Sequence, residues 1–384
     1  MKKLFRVVTV PVSLKKLLNG QWEFFNAYYD ITAIASEDEE LFAFGQANQT
    51  KTFGISLTRK ITLISDLKAL WTLYFFFRKE KPLIVHTQTP KAGLIGMLAA
   101  FLARVPIRMH DVVGLPLMEK KGLKYYLLYF VEKVVYACAY RIYPNSFGLK
   151  KYMIDTKLAS NTKMKVLANG SSNGVDVSHF SKEHFSKERN SALKKQLNID
   201  QMDFIFLFIG RLVGDKGINE LIEAFSNLSD EDQKIKLLLV GTFEKELDPL
   251  KKETMQKIRN NPQIISVGYQ EEVRPYFAIA SCFVFPSYRE GFPNVVLEAA
   301  SMELPCIVSN INGSNEIITD QNNGIIIPKK DTKALQKAMF SMKNDPSQRQ
   351  LYAANSRRGI AEKFGKQIFY RALLAEYKEL EDDL

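Results

Sequence analysis

The run Phe204-Ile205-Phe206-Leu207-Phe208-Ile209 constrains the fold of this 384-residue chain more than any other feature. Six successive apolar residues leave a strand no polar face, so it must be covered on both sides, as in a parallel sheet flanked by helices. Similar short runs, rich in β-branched or aromatic residues, alternate with longer helical stretches throughout, which predicts strand-helix-strand units. In the first half the strands are expected at 5–10, 28–35, 83–86, 107–110, 141–144 and 165–167, and helices at 64–80, 91–103 and 123–139. A polar stretch at 181–198 interrupts the pattern, which restarts with 204–209 and continues at 235–240, 264–267, 282–285, 306–309 and 324–327. The expected architecture is α/β, with two doubly wound Rossmann-like domains facing across a cleft. Their bounds are 1–180 and 201–365, with a hinge at 181–200. The final segment, 366–384, repeats apolar positions at Ile368, Leu373, Leu374, Tyr377 and Leu380 and is expected to form an amphipathic helix packing back on the first domain.

A chain 46% hydrophobic and 25% charged, without repeats or low-complexity tracts, is that of a globular protein. Cys138, Cys282 and Cys306 are too scattered for a disulfide framework or a zinc site, which fits a reducing cytoplasm. The apolar opening is closed by Lys15 and Lys16 with no small-residue cleavage site after it, so it is read as a first strand rather than a signal peptide. No apolar stretch approaches the roughly 20 residues of a spanning helix. The net charge of +11 is unevenly placed: residues 1–190 hold 28 Lys and Arg against 15 Asp and Glu, the remainder 25 against 27. An anionic partner for the first half would explain this, and so would a solvated lysine-rich surface.

Ligands of open parallel sheets sit at the carboxyl ends of strands, so the turns there are where chemistry is expected. After 204–209 the chain reads Gly210-Arg211-Leu212-Val213-Gly214-Asp215-Lys216-Gly217. Arg211 and Lys216 at a helix entrance would hold a diphosphate, although a glycine-rich turn with solvated charges has the same composition. After 282–285 comes a segment in which Glu290 and Glu298 bracket Gly291-Phe292-Pro293-Asn294-Val295. Pro293 suits a first helical position, which would leave the following amides pointing out of the helix. Carboxylates beside a phosphate repel it unless they bind hydroxyls, so Glu298 is expected on a ribose diol and Glu290 on a donor sugar. Capping carboxylates that complement the helix dipole are the alternative. Gly268-Tyr269-Gln270, after 264–267, is placed where a flat base could lie.

Together these motifs resemble the retaining glycosyltransferases of family four, which have the two-domain GT-B fold. The likeness spans nearly the whole chain. It rests on the glutamate, seven residues, glutamate pattern in EGFPNVVLEA, on GRLVGDKG, on the NGVD of Asn173 to Asp176, and on Gly313-Ser314-Asn315-Glu316. His86 to Gly93 and Gly114-Leu115-Pro116-Leu117 look most like bacterial enzymes of capsule, exopolysaccharide and lipid-linked glycan assembly. The resemblance implies a hexosyltransferase using a nucleoside-diphosphate sugar, expected to be a UDP-sugar, with no metal or other cofactor. Arg211, Lys216 and Glu290 would be catalytic, and Glu298, Phe292, Asn294, Val295, Gly210, Tyr269 and Gly20 would bind the donor. Asn19-Gly20 stands where the family has a glycine-bearing loop over the diphosphate. The only Asp-x-Asp, at 230–232, reads as a solvated turn. Many members carry a histidine before the glycine matching Gly114, where this chain has Val113; His110 is the candidate to replace it, with a buried structural histidine as the alternative.

The acceptor would be a glycan or polyprenyl-diphosphate-linked glycan. Met118 to Phe130 mixes lysines (Lys120, Lys121, Lys124) with aromatic residues on an expected helix, as interfacial helices do. It suggests peripheral docking on the anionic inner leaflet, against the alternative of a core helix with a solvated lysine face. A nucleic-acid partner is not expected, because no recognition module accompanies the charge. Rival functions are a sugar-nucleotide epimerase of similar fold and a non-catalytic polysaccharide-assembly binding protein.

Overall fold

The computed structural model describes every residue except Asn19, 59–61 and 245–247, and all but the side chain of Glu119. The chain divides into two compact units, Met1–Asn173 with Gln367–Leu384, and Gly174–Lys366. The boundary lies before the polar stretch expected as a hinge. Residues 181–200 belong to the second unit, where the helix Lys187–Gln196 packs on the helix Arg274–Ile279.

The first unit holds β1 (Lys3–Val7), β2 (Asp30–Ser36), β3 (Lys51–Ile55), β4 (Ile84–Gln88), β5 (Ile107–Val112) and β6 (Arg141–Pro144). They form one parallel sheet in the order β3-β2-β1-β4-β5-β6. β3 was not anticipated: Lys-Thr-Phe-Gly-Ile is mostly part-exposed at the sheet edge and lacks an apolar run. The strand expected at 165–167 does not form, and only Met164 makes an isolated bridge, to Ile142. The carboxy-terminal helix Lys366–Asp382 buries Phe369, Tyr370, Leu373, Tyr377 and Leu380 in a core shared with Leu4, Trp22, Phe25 and Ile31 of the first unit. A buried polar network ties it to the sheet. Tyr377 Oη lies 2.8 Å from Arg6 Nη1 and 2.8 Å from His86 Nδ1. Because Arg6 can only donate, His86 Nδ1 accepts from it and the Nε2 proton goes to Asp111 Oδ1 at 2.8 Å. Burial, then the Arg6 charge, push the His86 pKa down.

The second unit holds β7 (Phe204–Ile209), β8 (Ile235–Val240), β9 (Ile264–Ser266), β10 (Cys282–Phe285), β11 (Cys306–Ser309) and β12 (Gly324–Ile327). All are parallel, in the order β12-β11-β10-β7-β8-β9, which repeats the winding of the first unit. Phe206 and Phe208, two residues apart and so on one face of this central strand, are fully buried, and each contributes about 2–3 kcal/mol by its burial. The helix Ile218–Ser229 covers the sheet with Ile218, Leu221, Ile222, Phe225 and Leu228, a spacing that puts all five on one face. In each unit the crossovers diverge at the sheet centre, between β1 and β4 and between β7 and β10. That divergence opens a crevice at the strand ends where ligands bind in such sheets.

Candidate active site

The turns after β7 and β10 leave adjacent strands at this switch point and are laced together. Gly217 ends the first turn with φ +71°; a Cβ there would lie 2.1 Å from Pro286 O, so only glycine lets the turns approach. Tyr288 donates its N–H to Asp215 O at 2.8 Å, and Arg289 Nη2 reaches Asp215 Oδ2 at 2.8 Å. Asp248 closes the turn from behind by accepting from the Asp215 amide at 2.5 Å. Lys216, held over the Phe285 ring at 5.7 Å, pairs with Glu290. The fully buried Ser287 places its hydroxyl 3.0 Å from Glu290 Oε1, while Asn312 Nδ2 donates to Glu290 O at 2.6 Å. Glu290 is thus fixed at both its carboxylate and its backbone. Arg211, at the other end of the first turn, is half-exposed and bonds Glu244 at 3.0 Å. Both cations therefore have carboxylate partners that an incoming anion would displace.

The helix Asn294–Ser301 follows, with Pro293 as its N-cap rather than its first residue. Val296 N–H returns to Pro293 O at 3.0 Å. Among the described residues the Asn294 and Val295 amides have no acceptor, which leaves two donors at the positive end of the helix dipole. Gly313, at φ +78°, presses on this entrance: a Cβ there would be 2.6 Å from Gly291 O. Glu298 lies one turn into the helix. It keeps some contact with solvent, but burial of its carboxyl pushes the pKa up to about 7, with no hydrogen-bond partner among the described residues. A carboxyl so placed gains from two hydroxyl donors.

Tyr269 is exposed beyond β9, next to Gly268, whose carbonyl accepts from Gly241 at 2.8 Å. Gly210 bonds Val240 O at 2.9 Å, so the carboxyl ends of β7, β8 and β9 are joined. The second unit therefore gathers Gly210, Arg211, Lys216, Tyr269, Glu290, Asn294, Val295 and Glu298 along one edge of its sheet. The ring of Phe292 turns into the core, 5.5 Å from Phe364. Asp230 and Asp232 do form a turn, with Asp232 paired to Lys343 and capping the Lys234 amide at 2.8 Å.

His110 lies on β5 of the first unit. Its ring is buried, with Nδ1 2.7 Å from Thr87 Oγ1 and Cε1 against Gly93, and burial lowers its pKa to about 4. It is a neutral histidine enclosed by the first unit. Gly20 stands at φ +79° as the N-cap of the helix Gln21–Phe25, and Asn19 lies outside the described residues. Ser287, Asn312 and Asp248 were missed. Ser287 sits inside the recognised segment, whereas nothing local in the sequence marks Asn312 or Asp248.

Residues 190–359 match the family described as Glycosyl transferases group 1, and 29–170 match Glycosyl transferase 4-like domain. The capsular polysaccharide biosynthesis glycosyltransferase CapM of Staphylococcus aureus is 36% identical over 377 residues, covering 98% of this chain and 97% of that one. The UDP-Gal:alpha-D-GlcNAc-diphosphoundecaprenol alpha-1,3-galactosyltransferase of Escherichia coli is 29% identical over 322 residues, 83% of this chain and 81% of that one. Among solved structures, HepE of Anabaena in complex with UDP superposes with a TM-score of 0.81 at 18% identity, over 99% of this chain and 100% of that one, a likeness of fold. The chain belongs to the family-four glycosyltransferases of GT-B fold, among those of bacterial capsule and lipid-linked glycan assembly.

Proposed function

We propose that the chain transfers a hexosyl unit from a UDP-sugar, with retention at the anomeric carbon and without a bound metal, to a lipid-linked glycan at the inner face of the plasma membrane. The observation that carries this is Glu290, held by Lys216, Ser287 and Asn312 beside two free helix amides at the β7/β10 switch point. The diphosphate takes Arg211 and Lys216 from their carboxylates and accepts from the amides of Asn294 and Val295. Glu298 receives the ribose hydroxyls and Glu290 those of the sugar. As the bond from the anomeric carbon to the phosphate oxygen breaks, charge grows on the diphosphate, where two cations stabilise it more than they stabilised the bound donor. The acceptor oxygen bonds the same face of that carbon, and its proton passes to the departing phosphate oxygen. UDP as the nucleotide is supported by the donor named for the Escherichia coli relative and by the ligand of HepE.

The test is transfer, measured as UDP released in an acceptor-dependent way from a panel of UDP-, GDP- and ADP-sugars. Lys216→Ala and Glu290→Ala should abolish it while the melting temperature stays near that of the parent protein. Full turnover in either variant would refute the roles assigned. Turnover that survives a chelator and a product with the donor's anomeric configuration by NMR are expected, and the opposite results would remove those two elements.

A further inference from the structure

We infer that the first unit docks on an anionic bilayer through the outer face of one helical layer, with the helix Leu63–Glu80 as its apolar anchor. This deepens the proposed peripheral association and rests on it for the location of the acceptor. The helices Leu63–Glu80, Pro90–Leu102 and Leu123–Cys138 are the successive crossovers from β3 to β6, and the second packs between the other two on one face of the sheet. These helices carry eleven of the twenty-three large apolar side chains exposed among the described residues. Scattered exposed apolar residues need no explanation, but their concentration on one layer does.

The helix Leu63–Glu80 carries the densest part. Ala69, Leu73 and Phe77 are buried on its core side. Ile64, Leu67, Trp71 and Phe75, three or four residues apart and so on one stripe, are 89%, 56%, 47% and 65% exposed. A helix solvated on its outer side has no reason to be apolar there. On the helix Leu123–Cys138 the same holds for Leu123, Tyr126, Leu127 and Phe130, so the segment whose lysines suggested docking exposes its apolar residues as well. Trp and Tyr are the side chains that settle at a membrane interface.

Charge selects the occupant. Lys68, Arg78, Lys79, Lys124 and Lys133 on these helices are exposed, as are Lys120 and Lys121 just before the third. The acids there are engaged: Asp66 with Lys91 at 2.7 Å, Glu80 with Lys3 at 2.7 Å, and Glu132 by burial. A face of apolar and cationic side chains, with no exposed acid among the described side chains of these helices, complements lipid tails and anionic headgroups. It is a poor match to itself, because a two-fold contact would set these cations against one another.

Trp71 supplies the experiment, because the second tryptophan, Trp22, is only 2% exposed. Intrinsic fluorescence and co-sedimentation of the full chain are followed with vesicles of phosphatidylcholine alone or with about a third phosphatidylglycerol. The expected result is a blue shift on anionic vesicles only, weakened by salt and absent in Trp71→Phe. The double variant Leu67→Glu, Phe75→Glu should lower partitioning about tenfold or more, leaving UDP affinity unchanged. Unchanged partitioning of that variant would overturn the inference. So would loss only on changing Lys120, Lys121 and Lys124 to Glu, or a dimer by sedimentation that the double variant dissolves. Loss of UDP binding or turnover in the parent protein would instead strike the proposed function, since no donor or acceptor is present in the vesicle assay.

Discussion

The ribose role proposed for Glu298 can be tested quantitatively, because it would couple ionisation of this carboxyl to donor binding. Burial raises its pKa from the ordinary 4.5 to about 7. At about 1.4 kcal/mol for each tenfold change in Ka, ionising it in the free protein costs up to about 3 kcal/mol, less whatever its remaining solvent contact returns. The sign follows from proton counting: between about pH 4.5 and 7 the folded chain holds a proton that the unfolded chain has lost, so stability falls as pH rises through that window. Glu298→Gln should remove that fall, matching the parent protein near pH 4.5 and exceeding it in melting temperature near pH 8. Donor binding runs the other way. Two ribose hydroxyls donate to the carboxylate and pull its pKa down, so binding releases a proton and tightens toward about pH 7, at most tenfold per pH unit. Calorimetry with an intact UDP-sugar avoids the titration of the terminal phosphate of free UDP. In buffers of different ionisation enthalpy it counts the proton directly. A dissociation constant independent of pH from about 5.5 to 8, or an equal slope in Glu298→Gln, would refute the assignment of Glu298 to the ribose.

Four further outcomes are expected. Ser287→Ala removes a buried hydroxyl from Glu290 Oε1; a hydrogen bond to a charged group is worth about 1.5 kcal/mol or more, so kcat/KM should fall about tenfold with the fold intact in circular dichroism. Gly217→Ala combines φ +71° with a 2.1 Å approach to Pro286 O and should cost at least about 2 kcal/mol in urea unfolding, with loss of UDP affinity. His110, lowered by burial from 6.5 to about 4, must take up a proton on unfolding in that window, so stability falls as pH drops through it. His110→Gln should flatten the profile of melting temperature by up to about 3 kcal/mol in equivalent stability. Glu244→Gln frees Arg211 from an exposed pair worth about 0.5 kcal/mol and should tighten UDP binding about twofold by titration; weaker binding would show that Glu244 orients Arg211 rather than competing for it.

The parts of the fold that are legible in the sequence are those whose signal is local. Strands covered on both faces, such as β7 and β8, must be apolar throughout whatever their neighbours, and their runs mark them. β3 escapes because an edge strand faces solvent and can be built from Lys-Thr-Phe-Gly-Ile, its first residue paired to Asp30 at 2.7 Å. Residues 165–167 mislead for the converse reason: Val166 and Leu167 are apolar, yet the sheet ends at β6. The polar stretch at 181–200 resembles a linker in composition, but Arg189 and Arg274 cover the Phe185 ring at 5.2 and 6.0 Å and hold it to the second unit. The site divides along the same line. Residue type at a strand end is visible, so Arg211, Lys216, Glu290 and Glu298 stand out in the sequence. Facing is not, because in a parallel sheet both sides are buried and alternation vanishes. Hence nothing in the sequence shows that His110 shares the face of Thr87 beneath the helix Pro90–Leu102, and the reading of it as a substrate group or a buried histidine stays open there. Pairing is not visible either: Lys216 and Glu290 are 74 residues apart, and Asn312 reaches Glu290 only after β11 has returned the chain to the switch point. That pairing changes the electrostatics expected of the site. The sequence shows two cations suited to a diphosphate, whereas folding gives each a carboxylate, so in the proposed donor site binding would exchange partners. Its affinity then depends on how weakly those carboxylates hold, and only the folded chain determines that.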